Sequence, residues 1–188
     1  MKLTTNEVSE IACGIDVDYA SLRAFIAVES GGLGFATDTG KIIIQFEPHW
    51  FKKYEKTRVT PRDNAKWQLI DNNKVEGQTS EWKAFNAAFS INPQAAMLST
   101  SIGLMQVMGF NHDKCGFKTV NAMWDAFKTG EYAQVKGAAT FIKNTPKLHA
   151  ALKAKDWPKV AYYYNGSNYQ VNNYDNKLKA AYLKYSAS

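Results

Sequence analysis

Lys41-Ile42-Ile43-Ile44-Gln45-Phe46-Glu47 is the stretch on which the fold reading turns. Its isoleucines and phenylalanine favour an extended chain, because β-branched and aromatic side chains fit a pleated, half-buried surface. Almost everything around it reads as helix. Upstream, Asp18 can cap a helix on which Leu22, Phe25, Ile26 and Glu29 recur at helical spacing, with Gly31-Gly32 as its stop. The Gly34–Gly40 turn region between the two predicts a small hairpin or sheet directly after that helix. Downstream, Pro48 can open a helix carrying Trp50, Phe51 and Tyr54.

Farther out the same signals repeat. Thr4 and Glu7 form a capping box for a first helix with Val8, Ile11 and Ala12, stopped near Gly14. Helices are predicted at 81–90, 93–99, 103–108 and 119–128, then over 130–143 behind Thr129. Thr145-Pro146 and Asp156 open two more, and a last one spans about 175–185. The polar stretch from Thr57 to Ser80 reads as a long surface excursion. The fold class is α+β, mostly helical, with one small sheet or hairpin, and residues 1–188 are expected to make one domain.

The 188 residues carry a formal charge of +6, which favours anionic partners: nucleic acid, a membrane face or an acidic wall polymer. No apolar run follows the lysine at position 2, and no stretch approaches the roughly 18 apolar residues of a membrane span. Synthesis in a cytoplasm without a signal peptide is therefore expected. Cys13 and Cys115 lack C-x-x-C spacing, so free thiols are favoured over a zinc or redox site. His49, His112 and His149 form no metal-ligand pair, and no phosphate-binding or serine-hydrolase motif is present. No metal and no cofactor are expected.

Three segments carry chemistry. Ala27-Val28-Glu29-Ser30-Gly31-Gly32 places a carboxylate at a helix end. Ser101-Ile102-Gly103-Leu104-Met105-Gln106 combines small and amide side chains, and Tyr163-Tyr164-Asn165-Gly166 ends a helix with an aromatic and an amide. In this order they resemble the E-S, G-L-M-Q and Y-N-x-G motifs of goose-type lysozymes and lytic transglycosylases. With Ile44–His49, Asn111-His112, Cys115-Gly116-Phe117 and Tyr174-Asp175, the likeness extends over nearly the whole chain to the N-acetylmuramidase domain of phage endolysins.

That resemblance implies a lysozyme-like fold and cleavage of peptidoglycan at the β-1,4 bond from N-acetylmuramic acid to N-acetylglucosamine. It implies a monomer made in the host bacterial cytoplasm that reaches the wall after release across the inner membrane. The residues agree: glycoside cleavage needs a carboxyl kept protonated near neutrality, and burial beside Phe25, Ile26 and Val28 can raise the pKa of Glu29. The resemblance makes Glu47 a base or cation stabiliser, with Asp38 as rival. Ser101, Gly103 and Gln106 are expected in the cleft floor, and Tyr164, Asn165 and Tyr169 along its wall, all contacting substrate. The basic helix with Lys177, Lys179 and Lys184 is expected to pack on the core, with weak contact to anionic envelope lipids as a secondary role and nucleic acid excluded as partner. Two alternatives stay open: a lytic transglycosylase giving anhydro-muramic products, and a non-catalytic wall-binding or tail protein.

Overall fold

The computed structural model describes residues 3–30, 32–55, 64–71 and 77–187. Helix α1 spans Thr5–Gly14 and is closed by the Thr4/Glu7 capping box, each side chain bonded to the other's backbone N–H. Helix α2 spans Tyr19–Glu29; the Asp18 carboxylate accepts from Ser21 N at 2.8 Å, satisfying a donor that the first turn leaves free. Its residues Leu22, Phe25 and Ile26 are buried. The helix ends at Glu29, with Ser30 turning to extended backbone. Gly31, the other expected stop residue, lies outside the described residues.

The expected strand forms, in a different setting. Strand β1 is Ile44–Phe46, and its partner is not the neighbouring turn but β2, Thr100–Ile102, which pairs in turn with β3, Val107–Met108. All pairs are antiparallel, with Gln45 opposite Ser101 and Ser101 opposite Met108. Near the Gly34–Gly40 turn only one bridge forms, Phe35 to Ile42. The predicted helix at 103–108 is therefore wrong. Gly103 and Gln106 adopt φ of +70° and +49°, which an α-helix does not accept, and the segment turns tightly between β2 and β3.

The remaining helices are α3 (Pro48–Tyr54), α4 (Asn64–Asp71), α5 (Gln78–Ile91), α6 (Pro93–Leu98), α7 (Val120–Lys128), α8 (Glu131–Lys143), α9 (Pro146–Lys153), α10 (Trp157–Asn165) and α11 (Tyr174–Ser186). Asp156 caps α10 as expected. Thr129 does not cap α8: its hydroxyl bonds back to Ala126 O and Gly130 occupies the cap position. Part of the expected surface excursion is helix α4, packed on α5 with Trp67 and Ile70 buried. The rest of that stretch before Gly77 lies outside the described residues. Cys13 and Cys115 are free thiols; Cys115 is buried, which pushes its pKa up to about 12. Among the described residues, no helix is long and apolar enough to cross a membrane.

Helix α11 lies along α2, with Leu178 fully buried, while Leu183 stays exposed. A second tie crosses the molecule at Gln134 on α8, whose side chain is inaccessible to solvent. Its Oε1 accepts from Leu104 N at 2.7 Å and its Nε2 donates to Phe127 O at 2.9 Å. A Cβ at Gly103 would lie 2.6 Å from this side chain. Gly103 is itself buried, so its missing side chain makes room for Gln134 and not, as expected, for a sugar.

Replacing Gln134 by leucine leaves the Leu104 N–H and the Phe127 carbonyl buried without partners, at about 1–3 kcal/mol for each such group. Gln134→Leu is expected to lower unfolding stability by roughly 3 kcal/mol in urea titration, where an unchanged midpoint would refute the tie.

Candidate active site

Glu29 stands at the C-terminal end of α2, half-buried, where carboxylate charge is disfavoured both by lost water and by the negative helix end. Burial is the main influence and raises its pKa to about 7. Two groups act against burial. Asn165 Nδ2, at the end of α10, donates to Glu29 Oε1 at 2.9 Å, and the Lys177 ammonium on α11 lowers the pKa further. The carboxyl is thus poised between neutral and charged near neutrality, as a proton donor must be.

Asn165, expected from the sequence along the cleft wall, is thus a partner of the carboxyl. Tyr164 is likewise engaged. Its ring packs edge-on against Phe25 at 4.7 Å and Phe141 at 6.2 Å, and its hydroxyl donates to Met105 O at 3.0 Å. That bond joins the Glu29 wall to the 103–106 turn. Tyr169 begins a short 3-10 turn, Tyr169–Asn172, and packs half-buried on the core.

The sheet carries the other candidate residues. Ile44, Phe46 and Ile102 point into the core, so Gln45, Ser101 and Met108 stand in a row on the opposite face. Ser101 is almost buried, and its hydroxyl donates to Gln106 Oε1 at 2.8 Å. Gln106 Nε2 donates to Gly103 O at 2.7 Å, which leaves one amide hydrogen for a ligand. Ser101 thus orients Gln106 instead of offering its own proton.

Glu47 lies two residues beyond Gln45 on the same face, and its Oε1 accepts from Gln45 Nε2 at 3.0 Å. His49 Nδ1 sits 3.5 Å from its Oε2. Burial raises the Glu47 pKa, His49 opposes this, and the Glu81 charge adds to it. Asp38, the rival, is exposed in the 37–39 turn. A cavity of about 590 Å³ opens on another flank of α2, lined by Arg23, Ile26, Ala27, Ser30 and Leu104, but Glu29 takes no part in it. Among the described residues no cluster of His, Cys, Asp and Glu could hold a metal ion.

Sequence reasoning missed Gln134, a polar residue whose burial no local pattern betrays. It also placed Lys177 only on a basic helix face, because the Lys177–Glu29 relation arises from packing of α11 on α2.

Comparison with known proteins gives three findings. A family model described as N-acetylmuramidase matches residues 18–186. The crystal structure of a Burkholderia AP3 phage endolysin superposes with a TM-score of 0.86 at 33% identity, covering 98% of this chain and 71% of that one. No curated protein matches the chain.

Because the folded pKa of Glu29, about 7, lies above the ordinary 4.5, the folded state binds this proton more tightly than the unfolded chain does. Stability from this group is complete below about pH 4.5 and is lost as pH rises to about 7. At 1.36 kcal/mol per pKa unit the loss is on the order of 3 kcal/mol. Glu29→Gln is expected to match wild type at pH 4 and to exceed its stability at pH 8 in denaturant unfolding. A constant difference across pH would contradict the assigned burial.

Proposed function

The chain belongs to the N-acetylmuramidase family and is a peptidoglycan-degrading glycoside hydrolase, and from that premise we propose that Glu29 is the general acid of β-1,4 cleavage between N-acetylmuramic acid and N-acetylglucosamine. One observation carries this reading: a half-buried carboxyl with a pKa near 7, held by a single amide donor. In the protonated state it gives its proton to the glycosidic oxygen as the C1–O bond breaks. The leaving sugar departs as a neutral alcohol and C1 takes on oxocarbenium character. Asn165 then stabilises the glutamate left behind, because its donor favours the charged form.

Glu47 is the second carboxylate in this reading. Its position on the open face of the sheet, braced by Gln45, and a pKa that burial raises suit a base that takes the proton of a water attacking C1. Inverting enzymes separate their carboxyls by roughly 6.5–9.5 Å to admit that water, whereas retaining enzymes need about 5–5.5 Å. Gln106, with one free amide hydrogen, is the donor best placed for an N-acetyl or hydroxyl oxygen. Lysis of a bacterial host by a phage is the biological setting, supported by the likeness to a phage endolysin. The rival chemistry, attack by the muramic 6-hydroxyl, would use Glu29 alone.

Glu29→Gln should cut turbidity loss of permeabilised cells by about 10²–10⁴ while the protein stays folded; wild-type activity in that variant would sink the assignment. Mass spectrometry of the wild-type products should show reducing muramic ends, and anhydro ends would establish the transglycosylase.

The pH profile gives a further check. Activity should fall as pH rises through about 7, where the acid loses its proton. Asn165→Leu removes a group that lowers this pKa, so the alkaline limb should move to higher pH; a shift to lower pH would contradict the role given to Asn165.

A further inference from the structure

Beyond Glu47, the open face of the sheet continues into an aromatic cluster that neither the core nor the catalytic reading uses. Trp50 on α3 and Phe110, two residues past β3, meet at 4.7 Å between ring centroids. Tyr54, one turn along α3, lies 5.9 Å from Trp50 and nearly parallel to it, and 6.2 Å from Phe110. All three are half-buried. Tyr54 also packs on the main apolar core, whereas Trp50 and Phe110 are absent from it. Their neighbours within the fold include Phe51, which is completely buried and anchors α3 from the other side. The helix therefore turns Phe51 inward and leaves Trp50 on the face shared with Glu47.

The position of this cluster is set by the sheet. Met108 continues the row of Gln45 and Ser101, and Phe110 follows it past Gly109. Gly109 is buried against the Met97 backbone, so this connection cannot swing away. On the other edge, Glu47 meets His49 at 3.5 Å, and the His49 ring lies 5.3 Å from Trp50. A continuous strip thus runs from Gln106 through Gln45 and Glu47 to the aromatic rings.

We propose that Trp50 and Phe110, with Tyr54 behind them, form a sugar-binding platform that takes an N-acetylhexosamine unit of the glycan strand away from the cleaved bond. This rests on the glycan-cleaving reading above. The chemistry of the surface selects a sugar. A pyranose ring presents weakly positive C–H groups on its faces, which suit the negative face of an aromatic ring, and hydroxyls at its rim. The platform supplies both: aromatic faces, with Gln45, Glu47 and His49 alongside as donors and acceptors. The Lys53 ammonium lies 4.3 Å over the Trp50 ring on an exposed side chain, so a sugar seats on that face as the ammonium swings aside to meet a carboxylate-bearing muramic residue.

The test is a comparison of substrate lengths. Trp50→Ala and Phe110→Leu should raise KM for long glycan strands about tenfold, equal to 1.4 kcal/mol of lost binding, with kcat little changed. The loss should shrink as fragments shorten until they no longer reach the rings, and Trp50→Tyr should restore most of the affinity. A second measurement does not depend on those truncations. Trp67, Trp124 and Trp157 are buried and Trp82 is half-buried like Trp50, so titrating Glu29→Gln protein with long strands should give a fluorescence shift that drops by more than half once Trp50→Phe is added, and that Trp82→Phe leaves in place. Wild-type KM in both truncation variants, or a KM loss of equal size at every length, overturns the platform. So does a fluorescence response undiminished by Trp50→Phe, or loss of binding only to anionic phospholipid vesicles. A wild-type protein that cleaves no glycan defeats the functional reading itself, and is seen before any variant is made.

Discussion

A single buried amide, that of Gln134, sets the relation between the helical body and the sheet. A buried N–H or carbonyl without a partner costs more than most contacts contribute, so Leu104 N and Phe127 O together dictate where α8 and the 103–106 turn must lie. The turn then has little freedom. Gly103 must lack a side chain to admit the amide, and Gln106 must take a left-handed backbone to close the connection into β3. From that turn follow the Met105 carbonyl that receives Tyr164 and the orientation of Gln106 through Ser101. Floor and wall of the candidate cleft are thereby referred to one point in the core.

The second organising constraint is a conflict. Ending α2 on a half-buried carboxyl places charge where water is scarce and where the helix already presents carbonyl oxygens. Full neutralisation would make a poor site, since a group with a very high pKa donates reluctantly. Asn165 and Lys177 each recover part of the cost of ionisation, and the outcome is a carboxyl that changes state near neutrality. The stability penalty at alkaline pH and the raised pKa that suits the group to the proposed acid role are the same free energy, viewed from two reactions.

What the sequence made legible was local. Caps at Thr4, Asp18 and Asp156 are side chains bonding to backbone three residues on, and they are read from spacing alone. The strand at Ile44–Phe46 was visible from its β-branched run, but its partner was not, because Thr100–Ile102 lies far along the chain and pairing depends on the whole fold. The error at 103–108 has the same origin. Leu104, Met105 and Val107 look like a helix face, and only the positive φ angles of Gly103 and Gln106 reveal the turn. For the candidate site, the helix-end setting of Glu29 was legible from the Asp18 cap and the spacing of Leu22, Phe25 and Ile26. The engagement of Asn165 with Glu29, and of Ser101 with Gln106, was not, since a motif names residues without saying whether they face a ligand or each other.

The distance along the chain between Glu29 and its partners also orders events in time. Its hydrogen-bond partner is 136 residues away, and the ammonium that tunes it stands farther still, on α11. During synthesis, at roughly 5–20 residues per second, the nascent chain carries α2 for many seconds before residue 165 and then residue 177 emerge from the ribosome. Until then Glu29 has neither its amide donor nor the helix that buries its neighbours. The tuned carboxyl is therefore completed late in translation, and a chain cut short before α10 holds the acidic residue without its tuning.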